Sequence, residues 1–235
     1  MKLMIATPAF SGNVTIPYLL SFNQTVMLLA TQNIQVQPLV VSSGSLLVAE
    51  RNRIIQAFWN SDCTHLLCID SDLGWSTQAV PAMLKTGKEF VAGVYPARSS
   101  NKKTNEFIFR PLKNKHGAIV QDKTHKHLLK MEYIPAGFML IARSVIQKMR
   151  DKHPYLYYEP KDARNNPEPG YCFFNTEVWR GEFWGEDFVF CRKAREAGVE
   201  IWVDPLIQFD HAGTVGALYE CLTQQRSERT LSEAA

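Results

Sequence analysis

The stretch His65–Gly74 (HLLCIDSDLG) constrains the fold of this chain more than any other feature of its sequence. Four apolar residues followed at once by Asp70 and Asp72 predict a buried central strand that ends at the carboxyl edge of an α/β sheet. Open α/β folds bind ligands at that edge. If the chain stays extended through Ser71, the two carboxylates point the same way and repel, and a divalent cation relieves that repulsion. The alternative is a solvated turn in which Asp70 caps the following helix.

The composition is typical of one compact domain. With 235 residues, of which 46% are hydrophobic, the chain can bury one substantial core. The net charge of +3 is too small to indicate a partner. Five cysteines without a Cys-x-x-Cys pair argue against a disulfide framework and favour a cytoplasmic location. Because no apolar run reaches the length of a bilayer, we expect no membrane span.

Strands and helices alternate along the first half of the chain. The hydrophobic pattern predicts strands over 3–6, 35–41, 65–69 and 90–94, with helices over 17–31, 46–59 and 77–85 between them. This order implies right-handed crossovers and an α/β fold with a mostly parallel central sheet flanked by helices. Neither a Gly-x-Gly-x-x-Gly nor a Gly-Lys-Ser/Thr motif is present, so a bound phosphate needs another counter-charge, for which a metal on the paired acids is the candidate.

The second half departs from this alternation. Residues 98–130 contain short strand-like runs and turn residues, which predict a small β-hairpin or flap. This segment carries nine Lys or Arg against two acids, which indicates either a solvated face or a surface for an anionic partner such as nucleic acid. Residues 152–180 have no clear period and predict a long ordered loop. We expect one domain over 1–213 and a peripheral tail helix over 214–235.

Further strands are predicted over 131–134, 138–142, 201–203 and 206–209, and helices over 144–150 and 185–197. Gly137 precedes one of these strands and permits close approach of the backbone to a ligand. Glu186 and Asp187 lie in the first turn of the last helix, where negative charge is favourable whatever its function. His211 follows the last strand, and by itself would indicate a cap or a packed histidine.

Taken together, these motifs resemble the GT-A glycosyltransferases, and among them the small viral and phage sugar transferases. The resemblance covers residues 3–213 and rests on Ala49-Glu50-Arg51-Asn52, Ile69-Asp70-Ser71-Asp72, Gly137-Phe138-Met139, Gly185-Glu186-Asp187-Phe188 and His211-Ala212-Gly213, in that order. It implies a Rossmann-like GT-A fold and transfer of a sugar from a nucleoside-diphosphate sugar to a hydroxyl of a glycan or DNA acceptor. It also implies that residues 98–130 form a basic flap and residues 152–180 an acceptor-side loop.

The resemblance assigns roles to individual residues. Asp72 and His211 would bind Mn²⁺ or Mg²⁺, with Asp70 completing the metal site beside the donor ribose, and mixed carboxylate and imidazole ligands suit manganese. The nucleotide would be held by Thr7, Pro8, Arg51, Asp70 and Gly137. Arg51 could equally be an exposed helix residue.

Asp187 would be the base of an inverting reaction, taking the proton of the acceptor hydroxyl, with Glu186 as the fallback. A retaining reaction would instead place Asp187 against the acceptor or the donor sugar. Trp179, Phe183 and Trp184 precede this pair and could support sugar rings or belong to the core.

Two other functions fit the same residues. A haloacid-dehalogenase-like phosphatase also has an Asp-x-Asp after a strand, although that motif follows the first strand and usually has Thr or Val where this chain has Gly74. The other alternative is a module that binds carbohydrate or nucleic acid without catalysis, in which the acids hold a structural ion.

Overall fold

A computed structural model describes residues 1–10, 12–42, 46–98, 106–159 and 169–223 of the chain. Its α-helices are α1 (Ile16–Thr31), α2 (Leu47–Asn60), α3 (Ala79–Lys85), α4 (Arg143–Lys152) and α5 (Glu186–Glu196), with a 3₁₀ turn at Pro154–Leu156. None of these helices is long and apolar enough to cross a membrane.

The strands are β1 (Lys2–Pro8), β2 (Gln35–Val41), β3 (His65–Ile69), β4 (Leu73–Trp75), β5 (Phe90–Ala92), β6 (Arg110–Pro111), β7 (Leu129–Tyr133), β8 (Phe138–Ala142), β9 (Tyr157–Tyr158), β10 (Gly170–Tyr171), β11 (Glu177–Trp179), β12 (Glu182–Trp184), β13 (Ile201–Val203), β14 (Gln208–His211) and β15 (Thr214–Ala217). The predicted strands over 35–41, 65–69 and 138–142 therefore have the same bounds in the structure.

A mixed sheet forms the centre of the fold, in the order β2-β1-β3-β8-β5-β13-β7-β6. The pairs β1 with β2, β1 with β3 and β5 with β13 are parallel. By contrast, β8 pairs antiparallel with both β3 and β5, and β7 pairs antiparallel with β13 and β6. The carboxyl ends of β1, β3, β5 and β13 therefore lie along one edge. The predicted α/β class is confirmed, but the expected mostly parallel sheet is mixed, with three parallel and four antiparallel pairs among its described strands. Strand β2 lies at one edge, where Pro38 is tolerated.

Two layers of apolar side chains cover the two faces of this sheet. Alternate residues of β1 belong to different clusters, since Met4 and Ala6 pack in one and Leu3 and Ile5 in the other. Both faces of the strand are thus buried, which explains its continuous apolar sequence. The candidate site residues are confined to the carboxyl edge, where strands end and polar side chains can be exposed.

A second, three-stranded sheet of order β15-β14-β4 lies next to this edge. It pairs His211 with Leu73, one residue after Asp72. The tail helix expected from residue 214 differs from the structure, because 214–217 form β15 and helical residues occupy 218–223. The ordered sheet therefore continues past the expected boundary at 213. The rest of that expected helix, 224–235, lies outside the described residues.

The flap and the long loop are built from short antiparallel pieces. Lys113 bridges to Ile119, and Gln121 to Leu129, so the flap folds back on β7 as the predicted hairpin. In the 152–180 segment, β9 pairs with β10. Residues 99–105 and 160–168, which belong to the flap and the loop, lie outside the described part of the chain.

Candidate functional site

The chain turns at residues 71–72 instead of staying extended, and the two acids of the Asp-x-Asp motif therefore separate. The amide of Asp70 donates to the Gly137 carbonyl at 2.9 Å, and the amide of Leu73 donates back to the Asp70 carbonyl at 3.3 Å. Asp70 and Asp72 then contact different partners. The chain is therefore not extended through Ser71, so the condition under which both carboxylates were expected to point the same way is not met.

Asp70 is neutralised by a buried arginine. Arg51 Nη2 donates to Asp70 Oδ1 at 2.9 Å, and Nη1 donates to the Ala136 carbonyl at 3.3 Å. The Arg51 side chain is only 5% exposed, so it is not the surface helix residue that its sequence also permitted. Burial alone lowers the pKa of Arg51, but the negative charge of Asp70 outweighs it and raises the pKa. Arg51 is therefore a fixed positive charge at the carboxyl edge.

Gly137 and Tyr95 complete the surroundings of Asp70. The Tyr95 hydroxyl donates to Asp70 Oδ2 at 3.3 Å. A Cβ atom on Gly137 would overlap both that hydroxyl and Asp70 Oδ2. The structure thus explains why residue 137 is a glycine, which the sequence alone did not. The absence of a side chain leaves room for Tyr95 and Asp70. Its contact with a nucleotide stays a prediction.

Glu186 and Asp187 are the first two residues of α5, which begins beside Arg51. Gly185 caps α5, and Glu186 Oε1 lies 3.8 Å from Arg51 Nε. Asp187 Oδ1 accepts a hydrogen bond from the Phe188 amide at 2.8 Å. Burial, followed by the charge of Glu186, raises the pKa of Asp187 from 3.8 to about 6. A buried carboxyl group with a raised pKa is typical of catalytic sites.

His211 faces Asp72 from the second sheet. Its Nδ1 lies 2.6 Å from the Pro96 carbonyl, and its Nε2 lies 3.1 Å from Asp72 Oδ2. Because a carbonyl only accepts, Nδ1 is the donor, and Nε2 is held towards the carboxylate. Burial by itself lowers the pKa of His211, but the hydrogen bonds to Asp72 and Pro96 outweigh it and raise the pKa. A histidine oriented by a backbone carbonyl through one nitrogen is the usual arrangement of a metal-binding imidazole.

Arg98 contacts both Asp72 and His211. Its Nη2 donates to Asp72, and its Nε lies 3.2 Å from His211 Nε2. Asp72 and His211 therefore already bind one positive charge, that of Arg98. The Arg98 side chain is 66% exposed. One carboxylate and one imidazole fit Mn²⁺ when ligand oxygens and water complete the shell. Within the described ranges, no group of three or more His, Cys, Asp or Glu side chains could hold a metal ion, and Asp70 as a further ligand stays a prediction.

Tyr95 connects the two halves of the site, and our sequence reasoning missed it. Its hydroxyl contacts Asp70, while its ring packs edge-on against the His211 ring with centroids 5.1 Å apart. The available signal was its place three residues after β5, at the same carboxyl edge as Asp70. The charge of Asp187 also contributes to the raised pKa of Tyr95, after burial and Asp70. Asp70, Tyr95, His211 and Asp187 thus belong to one polar site.

Thr7 and Pro8 lie at the carboxyl end of β1 and are buried. The Thr7 hydroxyl contacts the Tyr18 hydroxyl at 2.5 Å, so its hydrogen bond is directed into the protein. The adjoining loop reaches the acidic turn, since the Thr15 amide donates to the Ser71 carbonyl at 2.9 Å. The nucleotide contacts expected of Thr7 and Pro8 stay predictions.

Asn52, the neighbour of Arg51 in α2, fixes the position of the long loop. Asn52 exchanges hydrogen bonds with the backbone of Phe174 at 2.8 and 2.9 Å, which ties α2 to the long loop.

Trp184 is buried against Tyr133 and belongs to the core. Phe183 is 76% exposed and is the residue of this group most accessible to a sugar ring.

Fold and site define a mixed α/β protein with a cluster of acids, arginines, a tyrosine and a histidine at the carboxyl edge of its main sheet. Among solved structures, the chain is similar to A197 from STIV, with a TM-score of 0.51 and 15% sequence identity, over 90% of this chain and 85% of that one. At this identity the likeness concerns the fold. No family model matches the sequence, and neither does any curated protein.

Proposed function

We propose that this protein is a metal-dependent glycosyltransferase that takes a sugar from a nucleoside-diphosphate sugar. The observation that carries the proposal is the pairing of Asp72 with His211 beside the Arg51–Asp70 pair, with Asp187 in the same polar site. One region thus offers ligands for a divalent cation, a fixed positive charge and a carboxyl group with an altered pKa. These are the groups that sugar transfer from a diphosphate needs.

Asp72 and His211 would hold the cation, which would stabilise the negative charge of the diphosphate leaving group. Arg98 lies beside them on an exposed side chain and would donate to phosphate oxygens. Arg51 holds the Asp70 carboxylate in place. Asp70 would then orient the donor.

Asp187 would accept the proton of the acceptor hydroxyl in an inverting reaction. A pKa of about 6 makes Asp187 a better proton acceptor than an ordinary carboxylate, yet leaves it mostly ionised at neutral pH. Glu186 contributes to this property through its negative charge. The acceptor would be a glycan or DNA hydroxyl.

A thermal-shift screen of nucleotide sugars, with and without Mn²⁺, tests the proposal. A donor at about 100 times its Kd stabilises the fold by about 2.7 kcal/mol. We expect this gain only with Mn²⁺, and its loss in Asp72→Asn but not in the matched variant Asp62→Asn, whose carboxylate is exposed and pairs with Lys2.

Turnover separates catalysis from binding alone. We expect donor hydrolysis or transfer by the native protein and none by Asp72→Asn. Full activity of Asp72→Asn, or of the native protein in excess chelator, contradicts a metal-dependent mechanism. Tight binding without turnover of any nucleotide sugar supports the non-catalytic module instead.

A further inference from the structure

A cavity of about 590 Å³ lies apart from the residues of the candidate site. It is enclosed by the flap, by β7, by residues 205–206 after β13 and by the helical residues 218–223. None of the acids or arginines discussed above lines it. Its volume is within the range of small-ligand pockets, which is about 300 to 1,000 Å³.

The walls of this flap cavity combine apolar and aromatic side chains with polar ones. Its apolar and aromatic lining includes Phe109, Ile119, Leu129, Leu206 and Tyr219. Leu206 and Tyr219 are 55% and 52% exposed, so part of the apolar wall is open to a ligand. Such walls accept a flat, apolar group.

The first rim turn, residues 113–118, presents lysines. Asn114 closes it, because its Oδ1 accepts from the amides of His116 and Ala118 at 2.9 and 3.1 Å. Lys113 lines the cavity, and Lys115 is at the tip of the turn. Both lysines are exposed.

The second rim turn, residues 121–127, has the same character. Asp122 Oδ1 accepts from the amides of Thr124 and His125, and its other oxygen pairs with Lys88. The one acid of this turn is therefore used within the fold, while Lys123 and Lys126 remain exposed. His127 and Gln121, at the ends of the turn, line the cavity.

The rim lysines differ from the other cations of the flap. Arg110 pairs with Glu132, and Lys130 with Glu200. Lys113, Lys115, Lys123 and Lys126 form no ion pair within the part of the chain that the structure describes. Two acids adjoin the other lining residues in the sequence, Asp204 and Glu220. Asp204 lies 3.8 Å from His127. The two turns thus place four exposed lysines next to the cavity in sequence, and Lys113 is one of its lining residues.

We propose that the flap cavity binds single-stranded nucleic acid, with one base inserted between Phe109 and Tyr219 and the adjacent phosphates on the rim lysines. An aromatic opening between cations is the chemistry by which proteins bind unpaired strands. The bases of a duplex are paired and stacked, so they could not enter this cavity. The turn tips, Asn114–Gly117 and Lys123–Lys126, carry no large apolar side chain to enter a membrane. This binding does not depend on the proposed sugar transfer and needs no donor or metal.

Fluorescence anisotropy with a labelled oligothymidine tests the proposal on the full chain. About four phosphate contacts give a slope of log K against log salt near −2.8, which is about a 50-fold loss of affinity between 50 and 200 mM salt. We expect Lys113→Gln with Lys115→Gln to halve that slope. The matched control is Lys85→Gln with Lys152→Gln, which removes the same charge from exposed positions of α3 and α4 and should leave the slope unchanged.

The inserted base is tested separately. Removing one stacked base or its aromatic partner costs about 10-fold in affinity. We expect that loss in Tyr219→Ala, whose melting temperature checks its fold, and in an abasic strand of the same length with the native protein. A flat salt response, an unchanged double variant, or equal affinity for the abasic strand, for thymidine monophosphate or for anionic lipid vesicles would overturn the proposal. Asp72→Asn should lose sugar transfer but keep the binding of single strands. Failure of one proposal can therefore be distinguished from failure of the other.

Discussion

Replacing Asp187 by Asn should stabilise the protein while abolishing sugar transfer. Burial and the charge of Glu186 raise the pKa of Asp187 from 3.8 to about 6, so the ionised side chain is less favourable in the folded state than in the unfolded one. Asparagine has a similar shape and keeps an oxygen that can accept from the Phe188 amide. The substitution therefore removes a charge without removing that contact.

The magnitude follows from the two pKa values. Each pH unit between 3.8 and about 6 is worth about 1.4 kcal/mol, so ionised Asp187 costs about 3 kcal/mol at neutral pH. The favourable charge at the start of α5 is already contained in the pKa of about 6, so it is not subtracted again. The expected net stabilisation of Asp187→Asn is therefore about 3 kcal/mol at pH 7.5.

The pH dependence gives the sign of the effect. Between pH 4 and 6 the folded state keeps the Asp187 proton while the unfolded state loses it, so the native protein becomes less stable as the pH rises. Below about pH 4 both states are protonated, and the native protein and Asp187→Asn should have nearly equal stability. Above pH 6 the full difference is present.

Urea unfolding at pH 4 and pH 7.5 measures both differences, and transfer assays measure activity. We expect a loss of kcat of about 10²- to 10⁴-fold, because a general base is removed. The control Glu186→Gln keeps the base and should move the acidic limb of the rate profile below pH 6, because the charge of Glu186 raises the pKa of Asp187. The reasoning is refuted if Asp187→Asn is no more stable than the native protein at pH 7.5, or if its gain is the same at pH 4.

Three further substitutions test the geometry of the site. Gly137→Ala should cost about 1 to 3 kcal/mol in unfolding free energy by overpacking against Tyr95 and Asp70, and the second change Tyr95→Phe should restore part of it. Arg51→Met should cost about 3 kcal/mol in a chemical denaturation curve, since it leaves Asp70 partly buried without its cation, and adding Asp70→Asn should recover most of that loss. Arg98→Gln should tighten Mn²⁺ binding several-fold in calorimetry, because it removes the cation that competes for Asp72.

Each of these three substitutions has an outcome that contradicts it. Gly137→Ala with full stability would mean that the space above the glycine is not filled. Equal stability of Arg51→Met and the native protein would mean that Asp70 needs no buried partner. Weaker Mn²⁺ binding by Arg98→Gln would mean that the arginine does not compete for the metal ligands.

Local sequence predicted the elements well where burial is uniform. The strands His65–Ile69, after its first residue, and Phe138–Ala142 are apolar because both of their faces are covered, and their bounds agree with the structure. Burial of both faces does not indicate the direction of a strand. An apolar run does not distinguish a parallel from an antiparallel neighbour, so the reversal of β8 between β3 and β5 was missed.

The primary structure by itself determined the α/β class and the strands that end at the carboxyl edge, because buried strands are local patterns, and the site residues that it predicted at this edge stay predictions. Only the tertiary structure decided which of these residues meet. The turn at 71–72 sends Asp70 to Arg51 and Asp72 to His211, and Tyr95 joins the two pairs. Contacts between Asp72 and His211 span 139 positions of the chain, and no local periodicity reports on partners so far apart.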